Sequence, residues 1–334
     1  MKDSIQSLLD ISGAGPEKES TPPDSVALKA CSSAMDTTNR IEENTTFGSR
    51  LLTDPSKVDD FNAWDHVEWD DAHLSEAATK VAFQSANPVP EEDRARYGDE
   101  FANEHWNKFY EHHEEGFFKD RKWIKLEFPE LIACTKGDAG PKVIADLGCA
   151  VGNTVYPLLR VNENAQLRIH ALDFSSEAIR IVRQAEEFTD ATINAAVWDM
   201  GDANGPHKSI PDSSVDVIVL IFAFSALSPA QWPLAMENFR RMLKPGGLIL
   251  LRDYGRYDLT QLRLKANRLL DDSFYIRGDG TRVYYFTNEE LAALFKAEDG
   301  WTLEQNAIDK RLLVNRKENK KMYRAWVQIK ARKT

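Results

Sequence analysis

Residues 143–154, VIADLGCAVGNT, constrain the fold of this chain more than any other stretch. The apolar run at 143–145 predicts a short buried strand, and Gly148 and Gly152 predict a tight loop that leads into a helix at 154–159. Small residues allow a backbone to approach a ligand closely, and such loops commonly precede a helix N-terminus that holds a cofactor. The pattern therefore predicts a cofactor cradle, with a plain tight turn as the alternative.

The sequence after this loop alternates between apolar strand-like runs and helical patterns. Ser175 is placed to cap one helix, and Ser228 followed by a proline is placed to begin another. Alternating strands and helices imply right-handed crossovers and an α/β fold with a mostly parallel sheet. The predicted parallel strands are residues 143–145, 167–172, 191–197, 215–222 and 248–252.

The last third of the chain carries a different pattern. A helix is predicted at 259–270, and residues 274–286 predict a hairpin with Gly278-Asp279-Gly280 as its turn. Alternating side chains at 301–305 and 322–330 predict two antiparallel strands that close the sheet.

Four residues of the predicted sheet fall at the carboxyl ends of strands, where ligands bind in such folds: Gly148, Asp173, Asp199 and Ile221. An acid at the end of the second strand can accept hydrogen bonds from ribose hydroxyls, and Asp199 is placed to meet an adenine amino group. In the glycine loop the acid, Asp146, lies inside the motif. This spacing differs from the dinucleotide fingerprint and is closer to a loop that holds S-adenosylmethionine.

Length and composition set broad limits. At 334 residues the chain can form one large α/β domain or two small ones. No run of 18 apolar residues predicts a membrane span, and the first 15 residues resemble neither a secretory signal nor a mitochondrial presequence. The three cysteines lack metal-site spacing, so no metal is expected. The expected compartment is the cytoplasm, with or without a nuclear pool.

Charge is distributed unevenly along the chain. Residues 1–104 hold 9 Lys and Arg against 22 Asp and Glu, whereas residues 307–334 hold 10 against 2. The net charge of −11 therefore hides a basic C-terminal block that could face phosphates, with a solvated basic surface as the alternative. Residues 1–60 have no sustained period and are predicted to be a disordered or weakly ordered acidic tail.

Aromatic and cationic residues are interleaved between positions 97 and 131. Trp106, Phe109, Tyr110 and His113 fall on one helical face. Such a composition suits stacking on unpaired bases while the cations hold phosphates, and a helix that packs on the core is the alternative. The run at 112–115, HHEE, lacks a second ligand cluster, so it does not predict a metal site.

Three blocks of sequence are specific to one family: FFKDRKW (117–123), LILLRDYGRYDLTQLR (248–263) and FYIRGDGTRVYYFT (274–287). From about residue 62 to the C-terminus the chain resembles the tRNA 3-methylcytidine methyltransferases, a branch of the Rossmann-fold S-adenosylmethionine enzymes. The segment NAWDHVEW (62–69) resembles the branch that modifies threonine, and sometimes arginine, tRNAs at cytidine 32 of the anticodon loop.

The resemblance implies an α/β class I methyltransferase with a mostly parallel seven-stranded sheet and a closing antiparallel strand. Residues 61–135 would form an N-terminal helical tRNA-binding element, and residues 136–334 the methyltransferase domain with a hairpin insertion at about 271–286. The family's loop usually has glycine where this chain has Ala150, which needs a backbone conformation that a non-glycine residue tolerates. The implied S-adenosylmethionine site consists of Trp106, Tyr110, Gly148, Asp173, Asp199, Met200 and Ile221.

The chemistry of methylation at cytosine N3 suggests further candidates. The ring becomes cationic, so a nearby carboxylate is stabilising, and Asp253 is the candidate; the alternative is an ion pair of Asp253 with Arg252 or Arg256. Arg256 and Tyr257 are candidates for contacts with cytosine O2 and the adjacent phosphate. The candidate RNA contacts are stacking by Phe117, Phe118 and Trp123, and phosphate binding by Lys119, Arg121, Arg277, Arg282 and residues 307–334.

The expected function is methylation of cytidine 32 in threonine tRNAs, with arginine and serine tRNAs as further candidates. The expected partner is the tRNA anticodon arm, with an aminoacyl-tRNA synthetase or another adaptor protein as a second candidate. A methyltransferase for a small molecule or protein, an RNA-binding protein without activity and a nicotinamide dehydrogenase are the alternatives. The first of these predicts no salt-sensitive affinity for RNA.

Overall fold

The computed structural model describes residues 50–113, 119–121 and 123–334. Eleven strands lie in the described residues. They are β1 (Ala63–Asp65), β2 (Lys142–Leu147), β3 (Leu167–Asp173), β4 (Ile193–Val197), β5 (Val215–Ile221), β6 (Leu243–Tyr254), β7 (Leu269–Asp271), β8 (Phe274–Ile276), β9 (Arg282–Tyr284), β10 (Trp301–Asn315) and β11 (Lys320–Lys333).

Eight of these strands form one twisted sheet in the order β1-β10-β11-β6-β5-β2-β3-β4. The neighbours from β6 to β4 are parallel, and those from β1 to β6 are antiparallel. The mostly parallel α/β fold is thus confirmed, but the count of seven strands is one short. The extra strand is β1, whose three residues pair with residues 311–313 at the end of the sheet.

The core lies on both faces of the parallel strands, and β5 illustrates why its sequence is continuously apolar. Ile218 and Leu220 pack into a cluster on one face, whereas Val217, Val219 and Ile221 pack into a cluster on the other. A strand buried on both sides needs apolar residues at every position.

The described residues contain helices of very different length. The helix that follows Ser175 begins as predicted, because the Ser175 hydroxyl accepts a hydrogen bond from the amide of Ala178 over 3.1 Å. The helices are α1 (Asp71–Ala86), α2 (Glu91–Arg94), α3 (Ala102–His113), α4 (Ile124–Glu127), α5 (Pro129–Cys134), α6 (Val155–Leu159), α7 (Ser176–Gln184), α8 (Trp232–Met242), α9 (Leu259–Leu262) and α10 (Asn288–Leu294).

The predicted helix at 259–270 is wrong beyond its first turn. Helix α9 ends at Leu262, Asn267 takes a left-handed conformation with φ of 61°, and the chain then enters β7. Strand β7 pairs with β8, and β8 pairs with β9, so tertiary pairing overrides the local helical pattern. The predicted hairpin is confirmed as β8 and β9, with Gly280 in its turn at φ of 85°.

Helix α3 packs against both the hairpin turn and α7. A methyl group on Gly280 would lie 2.4 Å from the His105 ring, so the turn and the helix are in close contact. On the other side, the Ser175 hydroxyl lies 2.6 Å from the amide oxygen of Asn107. Helix α3 is thereby held across the carboxyl ends of the strands.

A search of the described ranges for an apolar helix long enough to span a membrane found none. In the same ranges, no group of three or more His, Cys, Asp or Glu side chains is placed to hold a metal ion.

Candidate functional site

The glycine loop connects the end of β2 to α6, and three alternate residues in it have a positive φ. Gly148, Ala150 and Gly152 have φ values of 71°, 52° and 89°. A methyl group on Gly148 would lie 2.4 Å from the side chain of Ala223, so only glycine fits there. Ala150 does adopt a left-handed conformation, which is unfavourable for a residue with a β-carbon.

Asp173, at the end of β3, fixes this loop. One carboxylate oxygen accepts a hydrogen bond from the amide of Ala150 and the other from the amide of Ser175, both over 2.9 Å. Burial raises the pKa of Asp173 to about 6, and the hydrogen bonds from backbone amides act in the opposite direction. The backbone amide of Phe174 also acts on this carboxylate, so backbone donors from both sides of the loop fix its orientation.

Asp146 is a site residue that sequence reasoning noted only as part of the motif. Its side chain is 1% exposed, and both carboxylate oxygens lack a hydrogen-bond partner among the residues that the structure describes. Burial raises the pKa of Asp146 to about 7, while the positive charge of Arg121 acts to lower it. A buried, unpaired carboxyl group at the floor of a cofactor loop fits the ammonium group of S-adenosylmethionine, which would supply the missing donors.

Arg121 lies on this floor and not on the surface, contrary to the predicted phosphate contact. Its side chain is buried, Nη1 donates to the Thr154 hydroxyl over 2.8 Å, and Nη2 donates to the carbonyl of Ile221 over 3.2 Å. The guanidinium therefore ties the segment after α3 to the ends of the glycine loop and of β5.

Four other implied cofactor residues surround the same edge. The rings of Trp106 and Tyr110 stack at 5.9 Å between centroids on the face of α3 that packs near the glycine loop. Burial raises the pKa of Asp199, whose carboxylate accepts a hydrogen bond from the Gly201 amide over 2.8 Å. Met200 follows directly and packs against the main core cluster.

A cavity of about 530 Å³ opens beside Asp199. This volume lies in the usual range for small-molecule sites. Its lining includes Asn103, Phe174, Val197, Trp198, Asp199 and Asp202. Helix α3, through Asn103, therefore forms one side of the cavity, and the ends of β3 and β4 form the other.

The FFKDRKW and RDYGRYD segments meet at the carboxyl edge of the sheet. The guanidinium carbon of Arg252 lies 5.1 Å from the centroid of the Trp123 ring and 4.9 Å from that of Trp326. Arg252 also forms ion pairs with Asp309 and with Glu127. Trp123 is half-buried in this contact, whereas Lys119 is exposed. Phe117 and Phe118 lie outside the described residues.

Asp253 is completely buried at the end of β6. Its carboxylate accepts hydrogen bonds from the amides of Ser225 and Tyr254, both over 2.8 Å. Burial raises the pKa of Asp253 to about 6, and the hydrogen bonds and the charge of Arg277 oppose this rise. The alternative ion pair is wrong, because Arg252 pairs as described above and Arg256 pairs with Glu290 over 2.8 Å.

Arg277 lies between the side chain of Trp106, on α3, and that of Tyr254, at the end of β6. Its guanidinium carbon is 5.7 Å from the centroid of Trp106 and 5.6 Å from that of Tyr254. It is half-buried and sufficiently close to Asp253 to lower the pKa of that carboxyl. This position is next to Trp106, one of the implied cofactor residues, and the predicted phosphate contact of Arg277 stays a prediction.

Arg282 is placed differently from expectation, whereas the predicted contact of Tyr257 stays a prediction. Arg282 is buried and forms an ion pair with Asp99 over 2.6 Å, so its guanidinium is committed within the protein. Tyr257 has φ of 67° and donates its amide to the side chain of Gln261 over 2.6 Å. Its ring centroid lies 6.5 Å from that of Trp69, in the segment that resembles the threonine branch.

Strands β10 and β11 extend beyond β6 and the other parallel strands as a basic arm, defined here as residues 310–325. The last pair between β11 and β6 joins Trp326 to Tyr254, whereas β10 and β11 stay paired for six more positions. At about 3.4 Å per residue the basic arm reaches roughly 20 Å past the carboxyl edge. It carries one acid, Glu318, and the cations Lys310, Arg311, Arg316, Lys317, Lys320, Lys321 and Arg324.

Comparison with known proteins gives a matching family model and several relatives. Residues 145–249 match a family model described as a methyltransferase domain. The chain is 50% identical over 313 residues to a tRNA N(3)-methylcytidine methyltransferase of Schizosaccharomyces pombe, with 94% of this chain and 99% of that protein covered.

Two further relatives have related names. The tRNA(Thr) (cytosine(32)-N(3))-methyltransferase of Saccharomyces cerevisiae is 49% identical over 287 residues, which is 84% of this chain and 45% of that protein. A tRNA N(3)-cytidine methyltransferase of Danio rerio is 43% identical over 330 residues, with 90% of this chain and 92% of that protein covered. All three relatives are named for methylation of the same cytosine nitrogen.

Proposed function

Because the chain belongs to the family of tRNA N(3)-methylcytidine methyltransferases, we propose that it methylates N3 of cytidine 32 in the anticodon loop of threonine tRNAs, with S-adenosylmethionine as methyl donor. Arginine and serine tRNAs are further candidate substrates. The observation that carries the proposal is the contact between Trp123 and Arg252, which joins the FFKDRKW and RDYGRYD segments above the cofactor edge.

The site fits a reaction that requires positioning and little proton transfer. S-adenosylmethionine, when bound, supplies an electrophilic methyl group on a positively charged sulfur. The lone pair of cytosine N3 forms the new bond to carbon, and the electron pair of the broken bond returns to sulfur. Because N3 needs no deprotonation, no general base is required. Correct orientation of the two reactants can contribute up to roughly 7–11 kcal/mol of the lowering of the barrier.

Asp253 and Arg277 set the charge near the reacting base. The positive charge moves from sulfur to the cytosine ring during the reaction, and a fixed carboxylate stabilises a cation that develops beside it. Asp253 is held rigidly by two amide hydrogen bonds, so its orientation costs no reorganisation. Arg277, stacked between Trp106 and Tyr254, separates the cofactor side of the edge from the RNA side.

The surroundings of the edge suit a single-stranded RNA loop. N3 lies on the Watson–Crick edge, so the target cytosine must be unpaired or rotated out of its stack, and an anticodon loop meets this condition at low cost. The basic arm projects from the same edge, and its exposed cations, Arg316, Lys317, Lys320 and Lys321, can bind the adjoining phosphates.

A labelling experiment tests the proposal. We expect the purified chain with labelled S-adenosylmethionine to methylate a threonine tRNA that carries cytidine 32, and nucleoside mass spectrometry to identify 3-methylcytidine. The same tRNA with uridine 32 is the control and should stay unlabelled. Equal labelling of the two tRNAs would refute the assignment of the target nucleotide.

Salt dependence separates this function from methylation of a small molecule or protein. Affinity for tRNA should fall steeply as salt rises, because phosphate contacts release counterions. An affinity that is weak and independent of salt would favour a different substrate. Addition of the matching aminoacyl-tRNA synthetase tests the second candidate partner, since an adaptor should raise the rate at limiting tRNA.

A further inference from the structure

Phe222 is an unusual residue at the carboxyl end of β5. It has φ of 53°, in the left-handed region that bulky side chains rarely adopt. The conformation is held by a hydrogen bond from its amide to the carbonyl of Arg252 over 2.8 Å. Strained residues of this kind tend to cluster at functional sites. Sequence reasoning missed Phe222, because an aromatic residue at the end of an apolar strand looks like ordinary core.

The side chain of Phe222 joins two other rings to form a surface that we call the aromatic wall: Phe222, Tyr254 and Trp326. The Phe222 centroid lies 4.9 Å from that of Tyr254 and 6.3 Å from that of Trp326. Tyr254 and Trp326 are themselves paired across β6 and β11. Phe222 and Trp326 are only half-buried, so the aromatic wall is not closed off as core.

The aromatic wall adjoins the cofactor side of the edge. Phe222 directly follows Ile221, whose carbonyl holds Arg121, and Tyr254 directly follows Asp253. The guanidinium of Arg277 packs on Tyr254 from one side and on Trp106 from the other. A base stacked on the aromatic wall would therefore lie next to both the methyl donor and the candidate carboxylate.

Two hydrogen-bond donors at the aromatic wall have no partner among the residues that the structure describes. Arg324 is 4% exposed, its Nε donates to Asp258 over 2.8 Å, and its guanidinium carbon lies 4.9 Å from the Trp326 centroid. Within the described part of the chain, Nη2 of Arg324 and the indole nitrogen of Trp326 are both buried without an acceptor. Buried donors are nearly always satisfied, so these two point to an acceptor other than the described residues, and a bound nucleotide would supply one.

We propose that the aromatic wall receives the target cytosine, and that Arg324 and Trp326 donate hydrogen bonds to an oxygen of the same nucleotide. The inference rests on the proposed function and assigns its base pocket. Stacking would hold the ring in place while the two donors fix its rotation, so N3 faces the methyl group. The accepting oxygen is either O2 of the base or the adjacent phosphate, since both present the same acceptor chemistry.

Trp232 carries the same indole N–H donor at a position away from the aromatic wall. Its indole nitrogen is also buried without an acceptor in the described ranges, but its half-buried ring packs against the main core cluster, with centroid distances of 4.8 Å to Tyr284 and 5.5 Å to Phe286. Trp232→Phe therefore removes the same N–H group away from the aromatic wall. It is a matched control for Trp326→Phe.

The experiment measures single-turnover methylation of the cytidine 32 tRNA at saturating cofactor and tRNA. Phe222→Gly removes the ring while glycine accepts the left-handed backbone, so the variant should fold, and melting temperature checks this. We expect its rate to fall roughly 10- to 100-fold, since a stacked base depends strongly on its ring. Affinity for S-adenosylmethionine, measured by calorimetry, should change less than about 2-fold. Phe222→Tyr should restore most of the rate.

The donors are tested in the same assay. Trp326→Phe should slow methylation roughly 5- to 10-fold, whereas Trp232→Phe should leave the rate unchanged. A tRNA with 2-thiocytidine at position 32 and one with a phosphorothioate beside it identify the acceptor. In the tRNA whose sulfur replaces the accepting oxygen, the hydrogen bond from Trp326 is already lost. With that tRNA, Trp326→Phe should cause no further slowing.

The outcomes separate the two claims. If the wild-type chain methylates cytidine 32 and Phe222→Gly does so equally fast, the base pocket is assigned wrongly while the proposed function stands. If Trp232→Phe slows the reaction as much as Trp326→Phe, the donor assignment is overturned. If the wild-type chain labels neither cytidine 32 nor uridine 32 tRNA, the proposed function fails and the pocket with it.

Discussion

Nη2 of Arg121 donates a hydrogen bond to the main-chain carbonyl of Ile221 across 3.2 Å, although the two residues are 100 positions apart in the chain. The same guanidinium holds the Thr154 hydroxyl at 2.8 Å. One side chain from the segment after α3 thus joins the glycine loop to the end of β5. The cofactor edge is therefore complete only with Arg121 in this position.

Replacement of Arg121 should therefore act through the cofactor. We expect Arg121→Ala to weaken binding of S-adenosylmethionine roughly 10- to 100-fold, because two hydrogen bonds from a charged group are lost beside the buried Asp146. Calorimetry measures this directly. Affinity for tRNA, measured by filter binding, should fall much less.

Lys119→Ala is the matched comparison, two residues away and exposed. It should leave cofactor affinity unchanged, weaken tRNA binding and make the slope of affinity against salt shallower by about 0.7–0.9. If Arg121→Ala instead reproduces this pattern and spares cofactor binding, the buried position of Arg121 does not describe its role.

The second prediction concerns pH. Burial raises the pKa of Asp253 to about 6, so the carboxylate is protonated below that pH and loses its negative charge. If the ionised form stabilises the cationic ring, the methylation rate at saturating cofactor should fall about tenfold per pH unit below 6. Above pH 7 the rate should not depend on this group.

Asp253→Asn separates Asp253 from the other buried acids. It should react slowly and lose the fall below pH 6, while its cofactor affinity stays close to wild type. Asp146 and Asp173 also have raised pKa values, of about 7 and about 6, but they lie at the cofactor loop and should affect binding. If Asp253→Asn shows the same fall in methylation rate below pH 6, the fall is caused by another residue.

The sequence predicts those parts of the fold that local chemistry decides. The continuous apolar run of β5 can only be a strand buried on both faces, and Ser175 and the Gly280 turn carry side-chain and backbone preferences that hold in any context. The alternation of strands and helices also predicts that Gly148, Asp173, Asp199 and Ile221 lie at the carboxyl ends of the strands. These features were predicted at the correct positions.

Other features depend on contacts between distant segments, which the sequence does not display. Arg121 lies between Asp120 and Lys122 and looks like a solvated charge, yet it is buried through partners at Thr154 and Ile221. Asp309 and Arg311 interrupt the apolar pattern of β10, so the sequence does not predict a strand there. Their ion pairs with Arg252 and Glu127 form only in the folded sheet. Ala63–Asp65 becomes a strand only because β10 offers an edge.

The third prediction is that Asp146 destabilises the protein when no cofactor is bound. Its folded pKa of about 7 lies above the usual 3.8, so the native state holds the proton more tightly than the unfolded state does. The stability contributed by this group is therefore present at low pH and is lost as pH rises through 7. The shift corresponds to about 4 kcal/mol at most.

Asp146→Asn should accordingly raise the melting temperature at pH 8 and have a much smaller effect at pH 5. It should also weaken S-adenosylmethionine binding, because the ammonium group loses its charged partner. For the wild-type protein near pH 7, calorimetry in buffers of different ionisation enthalpy should detect proton release on binding. A melting temperature of Asp146→Asn that is unchanged or lower at pH 8 would contradict the assignment.

The last prediction concerns Ala150, which has φ of 52° and is almost fully buried. Replacement by glycine relieves a left-handed backbone cost of about 1–2 kcal/mol. It also removes a buried methyl group worth about 0.8 kcal/mol and adds about 0.4–1 kcal/mol of chain entropy to the unfolded state. These terms nearly cancel, so Ala150→Gly should change the free energy of unfolding by less than about 1 kcal/mol.

Ala195→Gly is the control, because Ala195 is buried in β4 and has no positive φ. Its free energy of unfolding should fall by about 1–2 kcal/mol. Urea denaturation of both variants measures the difference, and equal losses would show that the left-handed backbone at Ala150 carries no cost.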